Sequence, residues 1–219
     1  METMLKIAVI LAAYLLGSIP TSVWVGKIFY GIDVREHGSG NAGATNTIRV
    51  LGLIPGISVF IVDVLKGYLA VRLLYLTDFY IPKTGMFINF QLFLGIAALL
   101  GHIFPIFAQF RGGKGVAVLS GVVFALHPYA TLIVFGIWIV SVLITRYVSL
   151  SSMIAGFSFP LVLIFVYRTT NPSLITFAFI LAILMLFTHQ KNIERLVKGE
   201  ESKFSLKKKG KTNQVNPKQ

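Results

Sequence analysis

The chain has 219 residues, 55% hydrophobic and only 13% charged, with a net charge of +12 and a mean hydropathy of +0.79. A soluble domain averages roughly 45–50% apolar and about 25% charged residues, and a globule this small cannot enclose such an apolar excess. An ordinary soluble enzyme and a disordered chain are therefore excluded, and an integral membrane protein is indicated. Cysteine is absent, which leaves no disulfide framework, thiolate metal site or cysteine nucleophile.

A membrane-crossing helix needs about 20 mostly apolar residues. Seven segments are predicted in chain order: 4–24, 53–75, 92–110, the short 116–126, 129–144, 153–167 and 173–187. The first has one lysine, Lys6, and no small-residue cleavage site behind it, so it reads as a retained helix rather than a signal peptide. The predicted fold class is thus an all-α integral membrane protein with seven spans. Residues 1–197 form the membrane domain, and 198–219 form a basic tail expected to be disordered. No internal repeat or two-half symmetry is visible in the sequence.

With seven spans the connections alternate sides. One side receives Lys27, Arg35, Arg49, Arg111, Lys114, Arg146 and the Lys-rich tail, whereas the other receives Lys6, Lys83 and Arg168. By the positive-inside rule the first side is cytoplasmic, which places the N-terminus outside and the C-terminus inside. Part of the tail charge suits anionic headgroups. Located in this way, the basic balance is a signal of membrane orientation and phosphate recognition, and no nucleic-acid partner is expected.

The polar clusters all fall on the predicted cytoplasmic side. The first, 38–49, combines glycines with Ser39, Asn41, Thr45, Asn46 and Arg49. Glycines such as Gly40 let backbone N–H groups approach an anion, and Arg49 adds a fork suited to phosphate. The bland alternative is a flexible linker with a capped helix. The second cluster, Arg111-Gly112-Gly113-Lys114-Gly115, resembles the end of a nucleotide P-loop. It fails the pattern, because position 108 is Ala and position 115 is Gly. Two cations framed by glycines remain, against the alternative of a simple positive-inside turn. The third cluster, 145–152, includes Ser149 and Ser152, and by itself reads as a helix end with a capping serine. The fourth, 189–195, places His189 and Asn192 on one face if helical, with Glu194 nearby; alternatively it is a solvated exit helix. Within the predicted spans, Asp63 and Lys66 sit at i,i+3 and either act in function or hold the bundle together. His102 is expected ten residues deep in the third span.

Together these residues resemble the bacterial acyl-phosphate:glycerol-3-phosphate acyltransferase family. The resemblance is carried by 38–49, Asp63-Val64-Leu65-Lys66-Gly67, Gly101-His102-Ile103-Phe104-Pro105, Arg111-Gly112-Gly113-Lys114-Gly115, Arg146-Tyr147-Val148-Ser149-Leu150 and His189-Gln190-Lys191-Asn192-Ile193. It extends over residues 4–201. Two features depart from it: Val118, where Thr is common, and the Lys-rich end. The resemblance implies transfer of an acyl group from acyl phosphate to the 1-hydroxyl of glycerol 3-phosphate, with no metal and no other cofactor. It also implies functional coupling to an enzyme that makes acyl phosphate. Ser39, Arg49 and Lys114 are then expected to bind phosphate, with Gly40, Asn41, Thr45, Asn46, Gly112, Gly113, Ser149, Ser152 and Glu194 around it. His189 and Asn192 are expected to orient the acceptor. The His-x-x-x-x-Asp signature of soluble-type glycerol acyltransferases is missing; His189 is followed at that spacing by Glu194. The rival class is a transporter or flippase of a phosphorylated metabolite, which should show repeat symmetry and charges on several spans.

Overall fold

In the computed structural model, which describes residues 1–204, prolines and polar caps decide where the helices begin and end. Helices α1 (Glu2–Ser18) and α2 (Thr21–Tyr30) are one apolar run broken at Ile19-Pro20 and bent by 44°. A short α3 (Ala44–Leu51) precedes α4 (Leu53–Arg72). Thr84 caps α5 (Gly85–Ile103) by accepting the Phe87 N–H. After α6 (Val116–Leu126), the His127 ring and the Asn171 amide each cap a helix that opens on proline. These are α7 (Pro128–Thr145) and α9 (Pro172–Thr188). Between them, α8 (Val148–Leu161) runs into a π-helical turn at Val162–Val166, just past Pro160, whose ring cannot donate to the helical ladder. A 61° bend at His189 leads into α10 (Gln190–Val197). Among the described residues there is no strand.

Among the described residues, three helical stretches are individually long and apolar enough to cross a membrane, and the number rises to five if each bent pair counts as one span. Two of the seven predicted segments, α4 and α6, lie outside that set. The eleven residues of α6 rise only about 16 Å, against a hydrocarbon thickness of about 30 Å. The third segment is displaced from its predicted position. It starts at Gly85 instead of 92, because Thr84 provides the cap, and it stops at Ile103, because Pro105 drives Phe104 out of the helical region (φ −121, ψ 65). His102 is therefore in the last turn of α5 beside the following loop, not deep within a span.

Leu94, Leu99, Val118, Val122, Leu163 and Ala178 form the heart of the bundle and are essentially inaccessible. Leu132, Leu143, Ile144, Phe165 and Phe187 are exposed. Such an apolar exterior is what a lipid-facing surface requires. Two helix pairs pack backbone on backbone. A Cβ on Gly67 would overlap the Val118 carbonyl, and one on Gly121 would overlap the Val64 carbonyl, so α4 and α6 touch through glycine from both sides. Gly17 and Gly101 do the same for α1 and α5, against Ala98 and Tyr14. Small residues at such crossings replace the hydrophobic drive that a bilayer does not supply. Gly121→Ala is expected to cost about 1–3 kcal/mol by overpacking, read as a lowered midpoint of thermal unfolding in detergent. Gly136→Ala, where an added Cβ meets nothing within 4 Å, should leave the midpoint in place.

Candidate functional site

The loop before α3 is shaped by its own side chains. Asp33 accepts from the Arg35 guanidinium at 2.7 Å, and this contact holds the Asp33 carboxyl well below the usual carboxylate range. The same guanidinium donates to the carbonyls of Ala108 (2.9 Å) and Arg111 (3.2 Å), tying this loop to the one before α6. Asn46, buried in α3, accepts from the Ser39 N–H at 2.7 Å and donates to the carbonyls of Val34 and His37. Neither bridging role is marked in the sequence, because neither residue stands at a recognisable spacing from its partners.

Ser39 and Asn46 border a cavity of about 420 Å³ whose lining also includes Asn41, Thr45, Arg49, Lys114, Ser149, His189 and Asn192. Four stretches far apart in sequence therefore meet at one place. The first turn of α3 faces it, with Gly43 as N-cap and no side-chain cap. An uncapped N-terminal turn presents free backbone donors and the positive end of the helix dipole. A second cavity of about 260 Å³, lined mostly by apolar residues of α4, α6, α7, α8 and α9, adjoins the first. Phe60, Val116, Phe135, Trp138 and Ser152 line both.

At the polar end, the Lys114 ammonium donates to Asn192 Oδ1. Burial pushes the Lys114 ammonium down to about 8; Glu201 opposes this shift, and Arg195 and Arg49 reinforce it. His189 Nδ1 lies 2.8 Å from the Met185 carbonyl, which can only accept, so Nδ1 carries the proton and Nε2 the lone pair. Burial, then the Lys114 charge, pushes the imidazole down to about 4, so it is neutral at physiological pH.

Several residues expected at the site have other duties. The N–H groups of Gly112 and Gly113 donate to the Ile103 and His102 carbonyls, and that of Gly40 to His37. These backbone donors are consumed within the fold, and the glycines serve close packing instead. A Cβ on Gly113 would overlap the His102 ring. Asn46 is occupied as described. Ser152 donates to the Val148 carbonyl and accepts from Trp138, so it lines the wall with its hydroxyl already engaged. Glu194 is exposed and outside the cavity lining, since two residues along α10 turn it away from Asn192. The carboxylate beside Asn192 is Glu201, seven residues further on, in a segment expected to belong to the tail. The lysine run 207–211 lies outside the described residues.

Asp63 and Lys66 form a buried pair at 2.9 Å. Asp63 also accepts from Thr21 (2.8 Å), and Lys66 donates to the Ile19 carbonyl (2.7 Å). The pair thus fastens α4 to the break between α1 and α2. Asp63 borders the cavity, as does His102, whereas Lys66 does not. Asp63→Asn should cost about 3–5 kcal/mol by stranding a buried ammonium. The double change Asp63→Asn, Lys66→Met should recover part of that loss, as thermal unfolding would show.

Comparison with known proteins bears directly on this arrangement. The family model described as glycerol-3-phosphate acyltransferase matches residues 7–199. The glycerol-3-phosphate acyltransferase of Fusobacterium nucleatum is 42% identical, with 90% of this chain and 97% of that protein covered. The one from Chlorobaculum tepidum is 37% identical, over 93% and 98%. The crystal structure of PlsY, an integral membrane glycerol 3-phosphate acyltransferase, in its glycerol 3-phosphate form superposes with a TM-score of 0.81 at 37% identity, covering 91% of this chain and 96% of that one. Its lysophosphatidic acid form gives 0.78. Family model, relatives and fold agree with a cationic cavity joined to an apolar one: the chain belongs to the glycerol-3-phosphate acyltransferase family.

Proposed function

We propose that the protein transfers an acyl group from acyl phosphate to the 1-hydroxyl of glycerol 3-phosphate, releasing lysophosphatidic acid and inorganic phosphate. The observation that carries this reading is the junction of the two cavities. One offers Lys114, Arg49 and the α3 N-terminus to phosphate, and the other offers apolar walls to an acyl chain. The acyl carbonyl sits at the boundary near Ser152 and Trp138. The acceptor hydroxyl oxygen bonds to the carbonyl carbon, the bond from that carbon to the phosphate oxygen breaks, and the hydroxyl proton passes to a phosphate oxygen. Neutral His189 accepts a hydrogen bond from the hydroxyl through Nε2 and orients it. With its imidazole held near 4, it is a poor proton sink, which supports a phosphate oxygen in that role. Lys114 and Arg49 offset the charge that gathers on the departing phosphate.

Seven apolar segments embed the enzyme in the bacterial cell membrane, the N-terminus outside and the site at the cytoplasmic face. The gathering of residues from 26–52, 111–115, 145–152 and 189–204 on one cavity supports placing those loops on one side. The excess of lysine and arginine there supports the cytoplasm. An enzyme producing acyl phosphate supplies the donor. Because the chain has no cysteine, single introduced cysteines report sidedness. A membrane-impermeant maleimide should label Asp78→Cys in intact cells and should reach Lys191→Cys only after the cells are opened.

Purified protein in detergent, given acyl phosphate and radiolabelled glycerol 3-phosphate, tests the reaction itself; folded protein that forms no lysophosphatidic acid would refute it. Lys114→Ala should lower kcat/KM by about 10²–10³-fold, the usual effect of removing one charge-stabilising donor. The ammonium near 8 is lost as pH rises through that value, so kcat/KM should fall on the alkaline side. Lys114→Arg, which stays charged, should abolish that fall. General-base catalysis contributes about 10²–10⁴-fold. His189→Gln keeps an acceptor and should therefore stay well short of that loss; a drop of the full size would make His189 the base.

A further inference from the structure

We propose that Glu201 is a positioning residue for the acyl transfer. Reaching into the cavity from the segment that follows α10, its carboxylate fixes the Asn192 amide and, through it, the Lys114 ammonium. The inference rests on reading Lys114 as the phosphate-binding cation. Glu201 is 8% exposed. It accepts from Ser149 Oγ at 2.6 Å, Asn192 Nδ2 at 2.7 Å and Arg195 Nε at 3.0 Å.

A carboxylate only accepts hydrogen bonds and an ammonium only donates. An amide placed between them has one satisfactory orientation, with Nδ2 toward Glu201 and Oδ1 toward Lys114, and this is the orientation observed. Without the carboxylate the amide is free to flip and aim its donors at the lysine. The segment that bears Glu201 is itself tied across the cavity mouth. The Glu200 and Glu201 N–H groups donate to the Arg195 carbonyl, Phe204 N–H donates to Arg146, and Arg49 donates to the Ser202 carbonyl.

The electrostatics reinforce the geometry. The charged and titratable groups around Lys114 are Glu201 from the C-terminal segment, Arg195 from α10, Arg49 from α3 and His189 at the end of α9. Glu201 supplies the negative charge that opposes Arg195 and Arg49. Burial alone would raise the Glu201 carboxyl, but the bonds from Ser149, Asn192 and Arg195 outweigh it and hold the group ionised.

The test is kcat/KM for glycerol 3-phosphate against pH, with thermal unfolding in parallel, on the full chain in detergent. Glu201→Gln should move the alkaline fall to lower pH by about half a pH unit or more, as loss of a neighbouring opposite charge requires. Glu201→Asp should restore its position in part. Arg195→Met, which removes a repelling charge and leaves the Asn192 bond in place, should move the fall the other way. A folded Glu201→Gln protein whose activity drops equally at every pH would overturn the proposal, because a purely structural role does that. If Glu201→Gln does not fold, Glu201→Asp decides: a fall displaced part of the way to lower pH supports the proposal, and activity lowered equally at every pH overturns it. An alkaline fall that persists in Lys114→Arg refutes the phosphate reading of Lys114 itself. A fall lost in Lys114→Arg yet unmoved by Glu201→Gln refutes only the role of Glu201.

Discussion

The close approach of helix backbones at glycine is the constraint on which the rest of the structure depends. Gly67 and Gly121 let α4 and α6 touch, and Gly17 and Gly101 let α1 and α5 touch. In a bilayer, apolar side chains gain little by leaving lipid for a partner helix, so packing has to come from fit. That fit sets where the ends of α5 and α6 emerge, and their linking loop carries Lys114. The Asp63–Lys66 pair then locks α4 to the break at Ile19 and Thr21. Buried ion pairs are weak evidence for stability, but this one has a clear geometric effect: it holds the helix break beside the cavity wall that Asp63 forms.

A second consequence concerns what glycine does at the site. Glycine-rich loops beside a phosphate are commonly read as rows of backbone donors aimed at the anion. Here the N–H groups of Gly40, Gly112 and Gly113 are spent on carbonyls of the protein. The glycines let the loop before α6 lie against the end of α5, where His102 would collide with any Cβ at 113. The positive charge at the cavity comes from side chains and from the first turn of α3. Affinity and loop shape are thus carried by different atoms, and glycine substitutions would act on the site through the position of Lys114.

The sequence made the helical class, most segment boundaries and the cavity residues Ser39, Arg49, Lys114, Ser149, His189 and Asn192 legible, because hydropathy and rare polar clusters are local signals. It did not reveal which polar groups are consumed internally. Asn46 and Ser152 look like binding residues until their partners, Val34, His37, Val148 and Trp138, are placed. The start of α5 was missed because the cap at Thr84 precedes seven residues of modest apolarity, and the window of highest hydropathy lies further along. Glu201 was hidden for a related reason. It follows a charged stretch that composition assigns to a solvated tail, while Glu194 has the more suggestive spacing from His189. Only the turn after α10, closed by the Arg195 carbonyl, brings Glu201 back over the cavity.

The electrostatic design follows from gathering several cations in a cavity whose walls are largely apolar. A site that binds phosphate wants several cations, yet Arg49, Lys114 and Arg195 crowded together near a bilayer repel one another, and burial penalises the lysine first because it alone among them can lose its proton. A carboxylate within the cluster offsets that repulsion, at the cost of repelling the substrates as well. Its placement resolves the conflict. Glu201 directs its oxygens to Ser149, Asn192 and Arg195, and the amide of Asn192 stands between it and Lys114. The ammonium keeps a satisfied acceptor in Asn192 Oδ1, held in place by the carboxylate behind it. A neutral His189 completes the balance, since a fourth positive charge at that position would depress the lysine further.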